Sequence, residues 1–174
     1  HNKPEATAAV MTASGGLRTG DRGRFDEEGF LFITGRIKDQ FKLENGKYVF
    51  PSALEEVIEL HPMVQSAFVT GDGRPFPVAL LVVDPVAANA WADARGLPHD
   101  YASIASHEEL QRTVTTEVDA SLRGRFGSYE IPKKLLFADE PFSVQNGMLT
   151  QTMKLKRRNV LARYGGVIQG AYAR

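Results

Sequence analysis

GRIKDQFKLENGKYVFP, residues 35–51, sets an Arg-x-Lys-Asp cluster, an Asn-Gly turn and a helix-opening proline in immediate succession. Asn45-Gly46 is a strong short-range hairpin signal, since a tight two-residue turn needs positive φ at its centre. KYVF after it reads as a short strand. Pro51 then suits the first turn of a helix, where its missing N–H would have no intrahelical partner. In SALEEVIELH, Ala53, Leu54, Val57 and Ile58 recur at spacings of three and four, giving an apolar stripe, with Glu55, Glu56 and Glu59 expected to face outward. His61-Pro62 ends this helix.

Working outward toward the C-terminus, VQSAFVT, the turn GDGRP and PVALLVVDP read as two antiparallel strands around a glycine-rich hairpin. VAANAWADARG and HEELQRTVTTEVDASLRGRF read as helices, the second patterned through Leu110, Val114, Val118 and Leu122. KKLLFAD is a late strand. Gln145-Asn146-Gly147 signals a turn before LTQTMKLKRRNVLARYG, which is expected to end as a basic helix stopped by Gly165-Gly166. Upstream, a polar lead-in precedes GLRTGDRGRFDEEGFLFITGR, in which FLFIT is the firmest strand. Helices set against a small antiparallel sheet, with about three packed helices, make an α+β domain.

The 174 residues are 43% hydrophobic, enough for a core of ordinary size. Twenty-one basic side chains balance twenty-one acidic ones, so no global field draws the chain to nucleic acid or anionic lipid. There is no cysteine, which excludes disulfides, thiolate metal ligands and a cysteine nucleophile, argues against zinc and is compatible with a cytoplasmic location. No apolar run reaches transmembrane length. The chain opens on His1 and a polar stretch instead of Met, as a fragment or processed piece would.

Three polar clusters carry candidate chemistry, and the residues alone leave each open. Asp21, between glycines, can cap a turn or accept hydrogen bonds from the vicinal hydroxyls of a sugar. Arg36 follows a strand, where its fork could hold phosphate or ribose or form a surface ion pair with Asp39. Lys154, Lys156, Arg157 and Arg158 could be a solvated helix face, a nucleic-acid patch or a phosphate-seeking site.

Taken in order, TGD, GR-x-K-D, N-G-K before a helix and T-x-K-x-K-R near the end resemble the adenylate-forming superfamily of acyl- and aryl-CoA ligases. The likeness covers nearly the whole chain, and PEATAAVMTASGGLRTGDRGRFDEEGFLFITGRIKDQFKLENGKYVFPSALEEVI is most similar to its long-chain fatty acyl-CoA synthetase branch. The resemblance implies that residues 1–36 are the end of a large AMP-binding domain and residues 37–174 a mobile C-terminal domain. It implies ATP, Mg2+ and CoA as cofactors or substrates, a fatty acid as the acid, and the large N-terminal domain of the same polypeptide as partner. Asp21 then matches the aspartate on the ribose hydroxyls, and Arg36 an arginine near the same ribose. Lys38 falls at the hinge. Asn45 and Gly46 lie on the loop that approaches pantetheine, and Lys154 matches the lysine that reaches the active site during adenylation. The usual serine-glycine before that lysine is absent, which leaves Lys156 as the alternative.

A Ser/Thr/Gly-rich phosphate loop ending in Pro-Lys does not occur in these residues, so the chain alone is expected to be inactive. Peripheral membrane attachment of a longer protein stays open. A second reading of the resemblance is the adenylation part of a carboxylic acid reductase or fatty acyl-AMP ligase, with carrier-protein phosphopantetheine in place of CoA. Outside the enzyme class stand a free binding module using the basic helix, against which the balanced charge argues, and a homo-oligomer formed through surfaces a missing domain would cover. If Lys38 is the pivot, Lys38→Pro in the complete enzyme should block thioester formation while sparing adenylation, because proline fixes φ. Equal loss of both half-reactions would remove the pivot.

Overall fold

A computed structural model describes residues 2–37 and 39–173, so the pivot expected at Lys38 lies outside the described residues. The core is organised by one strand. VALLVV forms β6 (Val78–Val83), and all six side chains are buried. A strand that is apolar at every position must be covered on both faces. Antiparallel to it runs β5 (Val64–Thr70), with Phe68 opposite Leu80 and a register shift between Val64 and Ser66. On its other side β7 (Lys134–Phe137) pairs parallel, Leu136 opposite Leu80, so the late strand joins the sheet after a helical crossover and not as a hairpin.

Alternation along β6 sorts its side chains into two cores. Ala79, Leu81 and Val83 meet α2 (Pro51–Ile58) through Leu54 and Ile58, and α5 (Glu108–Leu122) through Leu110, Val114, Val118 and Leu122. Val78, Leu80 and Val82, with Phe68, meet α6 (Arg157–Gly170) through Val160, Tyr164 and Ile168. Between the strands and α5 lie α3 (Pro85–Asp93), capped by the Asp84 carboxylate on the N–H groups of Val86 and Ala87, and a short α4 (Tyr101–Ala105) capped by Asp100. The five residues of α4 leave little room for the periodicity that would mark a helix in the sequence.

Ahead of α2, β3 (Phe41–Lys42) and β4 (Tyr48–Val49) form the Asn-Gly hairpin, with Gly46 at φ 85° and its N–H donating to the Leu43 carbonyl at 2.9 Å. Further upstream, the polar lead-in forms α1 (Pro4–Val10), and β1 (Asp21–Phe25) pairs antiparallel with β2 (Leu31–Arg36) across a turn closed by the Asp26 carboxylate. The β1–β2 hairpin leaves Phe25, Phe30, Leu31 and Ile33 between 57% and 70% exposed.

Two local expectations are corrected. Gly165-Gly166 does not stop the last helix, which runs on to Gly170, because Val160, Tyr164 and Ile168 recur every fourth residue into the core and their burial outweighs the weak propensity of glycine. The helix also begins at Arg157, so Lys154 lies on the turn before it. Glu55 and Glu59 do not both point to solvent. The N–H of Val69 donates to Glu55 Oε1 at 2.7 Å and that of Ala67 to Glu59 Oε1 at 2.9 Å, so α2 caps donors along the free edge of β5.

Because Leu80 and Leu81 sit side by side in separate cores, Leu80→Ala and Leu81→Ala should each destabilise the fold by about 2–5 kcal/mol. Urea unfolding of this chain checks it, and a change below about 1 kcal/mol at either site would contradict full burial in a close-packed core.

Candidate active site

Asp21 and Arg36 face each other across the open end of the β1–β2 hairpin, where they are paired residues of the ladder. Arg36 Nε lies 3.3 Å from Asp21 Oδ1. The ion pair of Arg36 is therefore with Asp21 and not with Asp39, since cross-strand pairing brings position 21 to position 36 while Asp39 is already past the strand end. The Asp39 N–H donates instead to the Arg36 carbonyl at 3.2 Å. Asp21 keeps a second carboxylate oxygen outside that pair, and Arg36 is largely exposed, so both retain hydrogen-bonding capacity.

Lys154 reaches the same place from the far end of the chain. Residues 149–155 form a tight loop: Leu149 bridges Leu155, the Thr150 N–H donates to the Lys154 carbonyl at 2.8 Å, and the Lys154 N–H donates to Thr150 Oγ1 at 3.0 Å. Met153 takes φ 59° at its tip, a conformation that non-glycine residues adopt at a cost of about 1 kcal/mol or more. Among the described residues no ion pair or hydrogen bond engages the Lys154 ammonium.

These side chains line one open cleft of about 490 Å³, with Asp21, Arg36 and Asp39 on one wall, Ser52, Glu55 and Glu56 from α2 on another, and Lys154, Leu155 and Arg157 closing it. The cleft thus gathers three residues expected at a site from separate parts of the sequence: Asp21, Arg36 and Lys154. Lys156 is not part of its lining, and its N–H is committed to the Met148 carbonyl at 2.8 Å. Asn45 and Gly46 are not part of it either. Their hairpin is tied to the β5–β6 turn, with the Lys42 N–H on Asp72 Oδ1 at 3.2 Å and the Glu44 N–H on the Arg74 carbonyl at 2.9 Å.

The residue missed in the sequence is Glu55; Arg157, expected within a basic run, is instead paired with it. Arg157 Nη1 donates to both Glu55 oxygens, at 2.9 and 3.0 Å, its Nη2 donates to the Val69 carbonyl at 2.7 Å, and its guanidinium lies over the Phe68 ring. Only 13% of the Glu55 side chain is exposed. Burial pushes the Glu55 carboxyl above its ordinary 4.5, with the Arg157 charge and the Val69 N–H opposing that rise. Glutamates at 55 and 59, one helical turn apart and each following an apolar stripe residue, were the available signal.

The match to the AMP-binding enzyme C-terminal domain model spans residues 38–174. Long-chain-fatty-acid–CoA ligase FadD15 of Mycobacterium tuberculosis is 33% identical over 173 residues, an alignment covering 97% of this chain and 28% of that protein. The adenylation domain of a carboxylate reductase from Mycobacterium chelonae superposes with a TM-score of 0.80 at 28% identity, covering all of this chain and 26% of that one. An A-PCP didomain of carboxylic acid reductase from Segniliparus rugosus, solved in complex with AMP, gives 0.76 at 28% identity, covering 99% of this chain and 22% of that one. The chain therefore spans about a quarter of the length of the proteins it matches.

Burial raises the affinity of the Glu55 carboxylate for its proton on folding. The folded chain binds that proton more tightly than the unfolded one, so the Glu55 contribution to stability is fully present below 4.5 and is lost as pH rises through the higher folded value. The melting temperature of the parent minus that of Glu55→Gln should fall as pH rises from about 4 to 7, and a difference that grows instead would show a depressed carboxyl.

Proposed function

The chain belongs to the AMP-binding enzyme C-terminal domain family, and on that premise we propose that it forms the C-terminal portion of an ATP-dependent acyl-CoA ligase acting on a long-chain fatty acid. The observation that carries the reading is the cleft itself, which gathers Asp21, Arg36 and Lys154 from distant parts of the chain. In this reading residues 1–36 complete a large AMP-binding domain and residues 37–174 form the mobile domain, the pivot being at Lys38. The exposed apolar side chains of the β1–β2 hairpin support a covering partner there, as a large domain of the same polypeptide would be.

The first half-reaction joins a carboxylate oxygen to the α-phosphorus of ATP and breaks the bond from that phosphorus to the bridging oxygen, releasing pyrophosphate. Two anions must approach, and negative charge accumulates on the phosphate oxygens. Asp21 accepts hydrogen bonds from the ribose hydroxyls, Arg36 donates beside it, and the Lys154 ammonium meets the carboxylate and α-phosphate oxygens where charge develops. A preorganised donor of that kind typically contributes about a hundredfold to a thousandfold in rate. Among the described residues no group of three or more histidine or acidic side chains is placed to hold a metal ion. Mg2+ is commonly held largely by the substrate phosphates.

In the second half-reaction the CoA sulfur bonds to the acyl carbon as the carbon–oxygen bond to AMP breaks and the thiol proton is lost. That step needs a pantetheine route and not Lys154. The Asn45–Gly46 hairpin, outside the cleft, is suited to line this route, since Gly46 at positive φ lets a backbone approach without a side chain. A small domain that turns can offer Lys154 and then this hairpin to one reaction centre. The likeness to carboxylic acid reductase adenylation domains favours, as a second reading, a carrier-protein phosphopantetheine as acceptor. Free CoA and a phosphopantetheinylated carrier, offered in turn to the acyl-adenylate, separate the two.

A stand-alone nucleic-acid module is less well supported, because Arg157 is committed to Glu55 and Arg163 to Asp139, which leaves no continuous basic face on α6. No helix of the described residues is long and apolar enough to cross a membrane. In the complete polypeptide, Lys154→Ala should lower fatty-acid-dependent ATP–pyrophosphate exchange by about a hundredfold to a thousandfold. It should leave thioester formation from supplied acyl-adenylate intact, and unaffected exchange would remove the adenylation role.

A further inference from the structure

Lys154 can act at the cleft only if its backbone is held there, and one anchor of that backbone lies on another part of the fold. Arg157 is three residues on, and a chain of that length spans at most about 10 Å, so wherever Arg157 is fixed Lys154 is confined nearby. Its guanidinium is fixed from several directions at once: both Glu55 oxygens, the Val69 carbonyl and the Phe68 ring. Glu55 closes the circuit by accepting the Val69 N–H. One residue of β5 is thereby held through both of its backbone groups by two side chains, one from α2 and one from the start of α6. The intervening Leu155 and Lys156 are fastened separately, through the Leu149 bridge and the Met148 carbonyl.

This network is poorly accounted for as a source of stability. Desolvation together with the nearby Glu59 charge costs the Glu55 carboxylate more than Arg157 and the Val69 N–H return, which is the balance on which buried ion pairs are often replaceable by apolar residues. Its geometry, in contrast, is well suited to orientation: a planar fork engaging a carboxylate and a carbonyl at once admits few alternatives.

We propose that Glu55 and Arg157 are positioning residues that hold Lys154 over the Asp21–Arg36 cleft, so that adenylation depends on them and thioester formation does not. The proposal rests on the adenylation role of Lys154 given above. Neither side chain need touch substrate. The Asn45–Gly46 hairpin hangs from Asp72 and Arg74 by other hydrogen bonds, so loosening the Glu55–Arg157 pair leaves it in place.

The test uses the complete polypeptide with its large domain. Glu55→Gln, Arg157→Lys and Lys154→Ala are compared in two assays, ATP–pyrophosphate exchange with a fatty acid and conversion of presynthesised acyl-adenylate to thioester with CoA. Displacing a catalytic group by an ångström costs about a hundredfold, so Glu55→Gln and Arg157→Lys should lower kcat for exchange by about tenfold to a hundredfold. KM for ATP and the rate from acyl-adenylate should stay within about twofold, since those steps do not use the lysine's placement. A purely structural role would depress both half-reactions together and would overturn the proposal. So would unchanged exchange in Glu55→Gln beside a Lys154→Ala variant that has lost it, a result that leaves the role of Lys154 standing. Unchanged exchange in Lys154→Ala itself would remove the role of Lys154 and the proposal with it. Glu55→Gln is nearly isosteric and retains an acceptor for Val69, so it keeps the comparison decisive if Arg157→Lys folds poorly.

Discussion

The fold depends on the requirement that β6 be covered twice. Six consecutive apolar side chains cannot face water on either side, so helices must lie on both faces of the sheet. The chain satisfies this by sending α2 and α5 to one face and returning at its end with α6 to the other. That return is what brings a segment from beyond residue 150 back against the end of β5. The cleft is thus a by-product of how the second face is closed, and its lysine is carried by the loop that leads into the last helix of the chain.

At the edge of β5 the same economy recurs on a smaller scale. An exposed strand edge offers N–H and C=O groups that invite another chain. Here Glu55, Glu59 and Arg157 answer those groups with side chains, from a helix on one flank and a helix start on the other. The protection and the alignment of Lys154 are one arrangement. The tilt of Tyr164 toward Asp139, whose carboxylate accepts its hydroxyl at 2.7 Å while Arg163 holds the other oxygen, fastens the middle of α6 in a similar way.

Much of this was legible in the residues. The Asn-Gly hairpin, Pro51 at the start of α2, the β5–β6 hairpin and the periodicity of α5 follow from local rules, because turn chemistry and side-chain period act over a few positions. The order of TGD, GR-x-K-D and T-x-K-x-K-R was enough to point to the adenylate-forming family. Harder to read were features set by distant partners. A glutamate beside an apolar stripe ordinarily faces solvent, and the neighbours of Glu55, Val69 and Arg157, are brought to it only by the placing of the sheet and α6. Gly165-Gly166 looked like a stop since propensity speaks locally, whereas the burial of Tyr164 and Ile168 is tertiary. The pairing of Arg36 with Asp21, too, needed the hairpin's register.

The loop that carries Lys154 and the Asn45–Gly46 hairpin hang from opposite ends of one short run of chain: the first is fastened through Arg157 at Val69, the second at Asp72 and Arg74. They are therefore mounted on a common arm with a fixed offset between them. On the proposed function, presenting one tip at a given point withdraws the other by the same displacement, and no separate signal is needed to keep both from arriving together. In that proposal exclusivity of the two states is a matter of kinematics, built into the spacing of a few residues at and just after the end of β5.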